Sequence, residues 1–220
     1  MIPYPTKIPV SIQKLFKGMV WKSEKVATNE LYLTFDDGPN LNSTPLICDI
    51  LKQYDVKATF FLTGCQIERT MSALDKLRND GHCIGNHGFE HIHGWRISKD
   101  KFLENMMLGH ELTSSRIFRP PYGEITPGQY KLIKDRCHVV MWSIMPYDFL
   151  RRTSPTECVN RVIEHSSGGD IIVLHDKDNL VRKIQAYLKP MVEGLLEKGY
   201  TFGTIDQIIP GIMKEQESKL

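Results

Sequence analysis

Hydrophobic positions along the 220 residues fall into two alternating kinds of segment. Short β-rich runs stand at Leu31–Phe35, Ala58–Leu62, Cys83–Asn86, Ile117–Arg119, His138–Ile144, Asp170–Leu174 and Tyr200–Thr204. Between them lie stretches with apolar residues at helical spacing, near 43–54, 66–80, 98–112, 126–136, 155–166 and 180–198. Two of these end at Asp80-Gly81 and Lys198-Gly199, where glycine marks a helix stop. Thr126-Pro127 and Ser154-Pro155 put proline at a first helical position. Strands joined by helices predict an α/β fold, with a parallel sheet and right-handed crossovers. Seven such strands form either an open doubly wound sheet or a closed barrel.

Residues 1–28 stand slightly apart. Ile12, Leu15, Phe16, Met19 and Val20 recur at helical spacing, with Lys14, Lys17 and Lys22 around them. This predicts an N-terminal amphipathic segment that covers the end of the core, followed by one main domain over 29–220. A peripheral membrane contact through residues 12–20 is the alternative, opposed by the small basic face. Composition supports a single globular domain, since 41% of residues are hydrophobic and 25% charged. A net charge of +2 is too small to mark nucleic acid as a partner. Apolar runs such as Ile171-Ile-Val-Leu174 are too short for a transmembrane segment. The N-terminal residues show no secretory signal, which makes a cytoplasmic location the expectation. The cysteines, 5 in number and without Cys-x-x-Cys spacing, predict buried thiols rather than a disulfide framework or a thiolate metal site.

The polar residues choose between the two sheet forms. Asp36, Asp37, His87, Arg119, Asp148 and His175 each fall just beyond the C-terminal end of a predicted strand. Residues from several strand ends converge at one face of a β/α barrel, whereas an open sheet gathers them at a single crevice. The spread over at least five strands favours the barrel.

The same residues carry chemistry. His87 and His91, four apart, share one face of a helical turn and can reach one ion. Zinc accepts two imidazoles and one carboxylate while keeping a position open for water. Asp36 or Asp37 can supply the carboxylate. The Gly38-Pro39 turn that follows is expected to aim both acids inward, leaving one to move protons. Read alone, Asp-Asp-Gly-Pro is a solvated turn and His-x-x-x-His a surface pair; together they argue for a site. His93 is expected to be peripheral. His175 emerges from the most apolar strand, and Arg119 in Arg119-Pro-Pro-Tyr-Gly123 can hold a carboxylate through two parallel hydrogen bonds.

With Thr34-Phe-Asp-Asp-Gly-Pro39, His87-Gly-Phe-Glu-His91, Arg119-Pro-Pro-Tyr-Gly123 and Leu174-His-Asp176 in this order, the chain resembles the polysaccharide deacetylases. These form the NodB homology domain, carbohydrate esterase family 4. The resemblance runs from about residue 30 to 205. It implies a distorted (β/α)7 barrel in a single domain. It also implies that Asp36 is the catalytic base, Arg119 its orienting residue, and Asp37, His87 and His91 the metal ligands. Tyr122 is implied as an oxyanion donor through its N–H. His175 is implied as the general acid with Asp148 as its partner, and Leu174 as part of the acetyl pocket. One motif departs, because Trp142-Ser-Ile-Met-Pro-Tyr-Asp-Phe149 keeps Asp148 but has Met145 and Phe149 where the family often carries aspartate and tryptophan.

The implied activity is metal-dependent hydrolysis of N-acetyl groups on the amino sugars of peptidoglycan or a chitin-like glycan. The implied cofactor is a divalent ion, Zn²⁺ first, with Co²⁺ or Ni²⁺ as alternatives. Other readings are an O-acetyl esterase, a deacetylase of a lipid-linked or small-molecule amide, or a carbohydrate-binding relative without turnover. The family's usual setting makes the cell envelope the alternative location.

Overall fold

A computed structural model describes residues 5–24 and 29–209. Among the described residues, seven parallel strands occur: β1 (Glu30–Gly38), β2 (Thr59–Leu62), β3 (Cys83–Asn86), β4 (Ile117–Phe118), β5 (His138–Val139), β6 (Ile171–His175) and β7 (Thr201–Phe202). The hydrogen-bonded order is β5-β4-β3-β2-β1-β6, and β7 joins the start of β1. Irregular chain after β5 closes the ring. The Ser143 and Ile144 N–H groups donate to the Ile171 carbonyl, and the Val173 N–H donates to the Ile144 carbonyl. The fold is therefore a distorted (β/α)7 barrel. Its sixth side is short because the run predicted as strand through Ile144 keeps regular pairing only at His138–Val139.

Helices surround the ring: α1 (Val10–Leu15), α2 (Ser43–Lys52), α3 (Gly64–Ile67), α4 (Met71–Asn79), α5 (Lys99–Thr113), α6 (Pro127–Ile133), α7 (Pro155–His165) and α8 (Val181–Glu197). Their ends follow local chemistry. Thr126 and Ser154 form capping boxes with Gln129 and Glu157, satisfying backbone donors that a helix start leaves open. The stretch near 66–80 divides into α3 and α4, and α4 stops before Gly81, whose φ of 74° needs glycine. The helix expected across 12–20 is only α1; Met19 and Trp21 instead pack on the cluster around Phe102 and Phe118, and Val20 pairs with Val140. Residues 1–4, 25–28 and 210–220 of the two segments expected at 1–28 and 29–220 lie outside the described residues.

Strand alternation sorts the side chains. Leu31, Leu33 and Phe35 of β1, with Ile172 and Leu174 of β6, pack outward on Ile47 and Leu51 of α2 and Ile184, Leu188 and Met191 of α8. Tyr32 and Ile171 face the barrel axis with Phe61, Ile117 and Val140, and Ile205 and Ile209 plug the end away from the site.

A buried polar brace joins the carboxyl ends of β1 and β6 to the start of α2. Ser43 Oγ donates to Asp176 Oδ1 at 2.5 Å, and Thr44 Oγ1 donates to Asp176 Oδ2. Asp178 accepts the N–H groups of Asn42 and Ser43 at 3.0 and 2.9 Å. It thereby caps a helix that has no acid in its own first turn. Burial pushes the Asp176 carboxyl up to about 6, although three polar neighbours oppose the shift.

Gly38 is where this brace and the site meet. A Cβ there would lie 2.3 Å from Asp176 Oδ2, part of a carboxylate that two hydroxyl groups, one on each oxygen, keep from moving. Gly38→Ala is expected to destabilise the protein by about 2–4 kcal/mol, from overpacking plus a disturbed buried hydrogen bond. Urea unfolding checks this, and an unchanged midpoint would contradict the brace.

Candidate active site

The site forms at the carboxyl ends of β1, β3, β4 and β6. The first problem is how adjacent Asp36 and Asp37 both reach it, since neighbours on a strand point to opposite faces. The Gly-Pro turn expected to aim them is not the device. β1 runs on to Gly38, and its register against β2 shifts between Asp36 and Gly38. Asp37 sits at this bulge with φ of 76°. A bulge re-aims one side chain at the cost of local strain. Asp36 keeps the inward direction of Thr34 and lies in register with His175.

His87 and His91 are likewise not on a helical turn. They lie on an irregular loop after β3, with Gly88 at φ of 84°. One helix residue, Asn105, holds the loop by three bonds. Its carbonyl accepts the Phe89 N–H, its Oδ1 accepts the Glu90 N–H, and its Nδ2 donates to the Glu90 carbonyl. Asn86 adds a fourth bond by accepting the Gly88 N–H at 2.8 Å.

This loop brings two imidazoles to Asp37. His91 Nε2 lies 2.9 Å and His87 Nε2 3.7 Å from Asp37 Oδ1. His87 Nδ1 donates to the Arg119 carbonyl at 2.7 Å, which leaves the Nε2 lone pair facing the carboxylate. Burial pushes the pKa of His87 down, which favours the neutral, ligating form. Burial alone would raise the Asp37 carboxyl. The hydrogen-bonding approach of His91 and the positive potential of His175 reverse this and hold it far below the usual carboxylate range. Oδ1 itself is buried and accepts no well-aligned hydrogen bond. One carboxylate oxygen and two imidazole nitrogens within 4.8 Å of one another fit a divalent cation.

Asp36 is fixed by Arg119. The guanidinium is fully buried, and its Nη1 donates to Asp36 Oδ1 and to Thr34 Oγ1, each at 2.7 Å. Nε and Nη2 donate to the carbonyls of Val140 and Met141 at 3.1 and 2.9 Å. The expected fork of two bonds to one carboxylate is thus a single bond to Asp36, with the other donors spent on the barrel wall.

His175 stands in a second pair. Its Nδ1 lies 2.8 Å from Asp148 Oδ1, and Asp148 Oδ2 accepts the His175 N–H at 2.9 Å and the Tyr187 hydroxyl at 3.1 Å. Burial lowers the pKa of His175, but the Asp148 carboxylate more than offsets this and raises it above the ordinary value.

The cavity between these pairs measures about 320 Å³. Asp36, Asp37, His87, His91 and His175 line it with Tyr122, Trp142, Met145, Phe149 and Lys177. Tyr122 has φ of 59°, and the hydrogen bonds of its turn use the N–H groups of Gly123 and Glu124 rather than its own. Its ring is 52% exposed and stacks on His93 at 3.7 Å. His93 pairs with Glu124 at 3.1 Å and backs the tyrosine.

Leu174 does not belong to this cavity. It is 0% exposed and packs in the outer core with Leu33 and Ile184. Being adjacent to His175 on a regular strand, it points the opposite way. Thr34, Asn86, Asn105 and Lys177 touch the site or its supports without having been singled out in the sequence. Thr34 opens a recognised motif and Lys177 follows another, whereas Asn105 carries no sequence signal at all.

A second donor group, Cys48, Asp80 and His82, also lies within 4.8 Å. Nδ1 of His82 accepts the Ala58 N–H at 3.2 Å, so the neutral ring carries its proton on Nε2. Lys76 and Lys52 already pair with Asp80 at 3.0 and 3.3 Å.

The family model described as polysaccharide deacetylase matches residues 23–135. A peptidoglycan-N-acetylglucosamine deacetylase of Bacillus cereus is 31% identical over 195 residues, covering 84% of this chain and 91% of the relative. The peptidoglycan-N-acetylmuramic acid deacetylase PdaC of Bacillus subtilis is 30% identical over 90% of this chain, which spans only 43% of that longer protein. The crystal structure of the Bc1960 peptidoglycan N-acetylglucosamine deacetylase superposes with a TM-score of 0.84 at 30% identity, covering 92% of this chain and 97% of that one. The paired carboxylates, the two histidines and the barrel that carries them thus agree with the sequence matches: the chain belongs to the polysaccharide deacetylase family, metal-dependent hydrolases that deacetylate amino sugars.

Proposed function

We propose that the protein removes N-acetyl groups from amino sugars of a peptidoglycan-type or chitin-like glycan, with one divalent cation held by Asp37, His87 and His91. The observation that carries this reading is Asp37 Oδ1, a buried carboxylate oxygen without a proper hydrogen bond, facing two imidazole nitrogens. One carboxylate and two imidazoles suit Zn²⁺, and Co²⁺ or Ni²⁺ also accept such a set. When bound, the cation supplies positive charge that polarises a carbonyl and eases the ionisation of water.

The chain's own groups divide the proton work. Asp36 is the general base. Arg119 holds its Oδ1, which leaves Oδ2 to take a proton from the attacking water. His175 is the general acid. Asp148 engages Nδ1, so Nε2 is left to deliver a proton to the departing nitrogen, which leaves poorly as an anion. The Tyr122 N–H is a donor for the developing oxyanion, a contact worth about 3–4 kcal/mol when preorganised. Tyr122 and Phe149 are exposed aromatic rings at the cavity rim, and such faces suit sugar rings. Met145 and Trp142 make the adjoining wall apolar, which narrows the choice of glycan there. Relatives named for peptidoglycan support a cell-envelope setting. Among the described residues no helix is long and apolar enough to cross a membrane.

Two substitutions separate base from ligand. Asp36→Asn is expected to keep the cation while losing about 10²–10⁴-fold in turnover. His91→Ala is expected to lose both. Acetate release from N-acetylated glycan oligomers, measured with metal content after dialysis, checks the pair; full turnover in Asp36→Asn would end the assignment.

The pH dependence follows from Asp148. A general acid works while protonated, so kcat/KM is expected to fall as pH rises through the free-enzyme pKa of His175, which is raised. In Asp148→Asn only the more distant charges of Asp37 and Asp36 still oppose burial, and the basic limb is expected to move to lower pH. A basic limb that stays in place would remove His175 from the acid role.

A further inference from the structure

Each carboxylate in or behind the cavity pairs with a basic side chain before any metal is considered. Asp36 has Arg119, Asp148 has His175, and Asp37 has Lys177. Lys177 is the least expected of the three. It follows the Leu174-His-Asp176 motif by one residue and lies on the turn into α8, with its side chain 41% exposed. Its Nζ nevertheless reaches inward to 3.0 Å from Asp37 Oδ2.

The backbone carbonyl of Asp37 is also taken. It accepts Gln66 Nε2 at 3.0 Å and Asn40 Nδ2 at 3.3 Å. Lys177 occupies Oδ2, and only Oδ1 is left facing His87 and His91. The two oxygens of one carboxylate are therefore divided between a resident ammonium and the imidazole pair. A divalent ion at Oδ1 would enter a group whose charge is already neutralised, and it would sit beside an ammonium on the same carboxylate. Like charges that share so small a group repel even where solvent screens them.

We infer that Lys177 tunes the metal centre by its charge: it pairs with Oδ2 of Asp37, leaves Oδ1 for the ion, and lowers the site's affinity for that ion. This rests on the metal-site reading above. Two effects of removing it oppose each other. An orienting neighbour of a ligand, when lost, weakens metal binding about 10–100-fold. A cationic neighbour, when lost, strengthens binding by ending repulsion and leaving Asp37 unpaired in the metal-free protein. Asp37 is already aimed by the bulge in β1 and by Gln66 and Asn40, so the orienting share is small and the charge effect prevails.

The test is the Zn²⁺ dissociation constant, measured by competition with a chromophoric chelator on the full chain. Lys177→Met is expected to bind Zn²⁺ about tenfold more tightly than the parent protein. Lys177→Arg, which keeps the charge, is expected to stay near the parent value. Unchanged or weaker binding in Lys177→Met, or equally tight binding in Lys177→Arg, would overturn the inference. His91→Ala serves as the control for the site itself. Parent-like binding in that variant would mean that the ion sits elsewhere, a failure of the metal-site reading and not of Lys177 alone.

Discussion

The guanidinium of Arg119 organises the mouth of this barrel. It is wholly buried, yet all of its hydrogen-bonding directions described above find oxygen: Thr34 and Asp36 on β1, and the carbonyls of Val140 and Met141 after β5. Phe61 covers one face, with the guanidinium carbon 4.0 Å from the ring centre. A buried ion pair adds little by itself, but losing one partner strands the other charge and costs about 3–5 kcal/mol. The same residue accepts His87 Nδ1 with its carbonyl. One side chain and its backbone thus fix the orientation of the proposed base and of one proposed ligand, and they tie the irregular side of the ring to its longest strand.

From that anchor the two acids that line the cavity, and Asp148 behind it, acquire different tasks. Environment sets the role of a carboxylate, and unlike neighbours push otherwise equal groups apart. Asp36 faces a permanent charge that cannot leave. Asp37 faces two imidazoles on one oxygen and a movable ammonium on the other. Asp148 is fully enclosed by the His175 ring and backbone and by the Tyr187 hydroxyl, so it acts only through the histidine. A pair of adjacent aspartates in sequence becomes a base and a ligand because one residue of bulge separates their directions.

Much of this was legible in the sequence, for identifiable reasons. Buried parallel strands are short apolar runs bounded by turn residues, so all seven strands could be placed. The cores of the motifs lie at strand ends, and the side chains that meet there had to come from different strands. What could not be read depends on backbone detail or on distant partners. The bulge at Asp37 has no signature in Asp-Asp-Gly-Pro. The histidine loop keeps its spacing without a helix, since Asn105 of α5 replaces helical hydrogen bonds from outside the motif. The family resemblance implies Leu174 as part of the acetyl pocket, whereas alternation along β6 sends it to the outer core. Lys177 reads as an exposed charge until the fold brings it to Asp37.

The central claim is that Asp37, His87 and His91 converge on one divalent cation beside Asp36. Crystals grown with Zn²⁺ and measured on both sides of its absorption edge test it most directly. The account predicts one anomalous peak, roughly 2.0–2.2 Å from Asp37 Oδ1 and from the Nε2 atoms of His87 and His91. A zinc-loaded crystal with no peak at that point, or with the peak at another cluster, would contradict it.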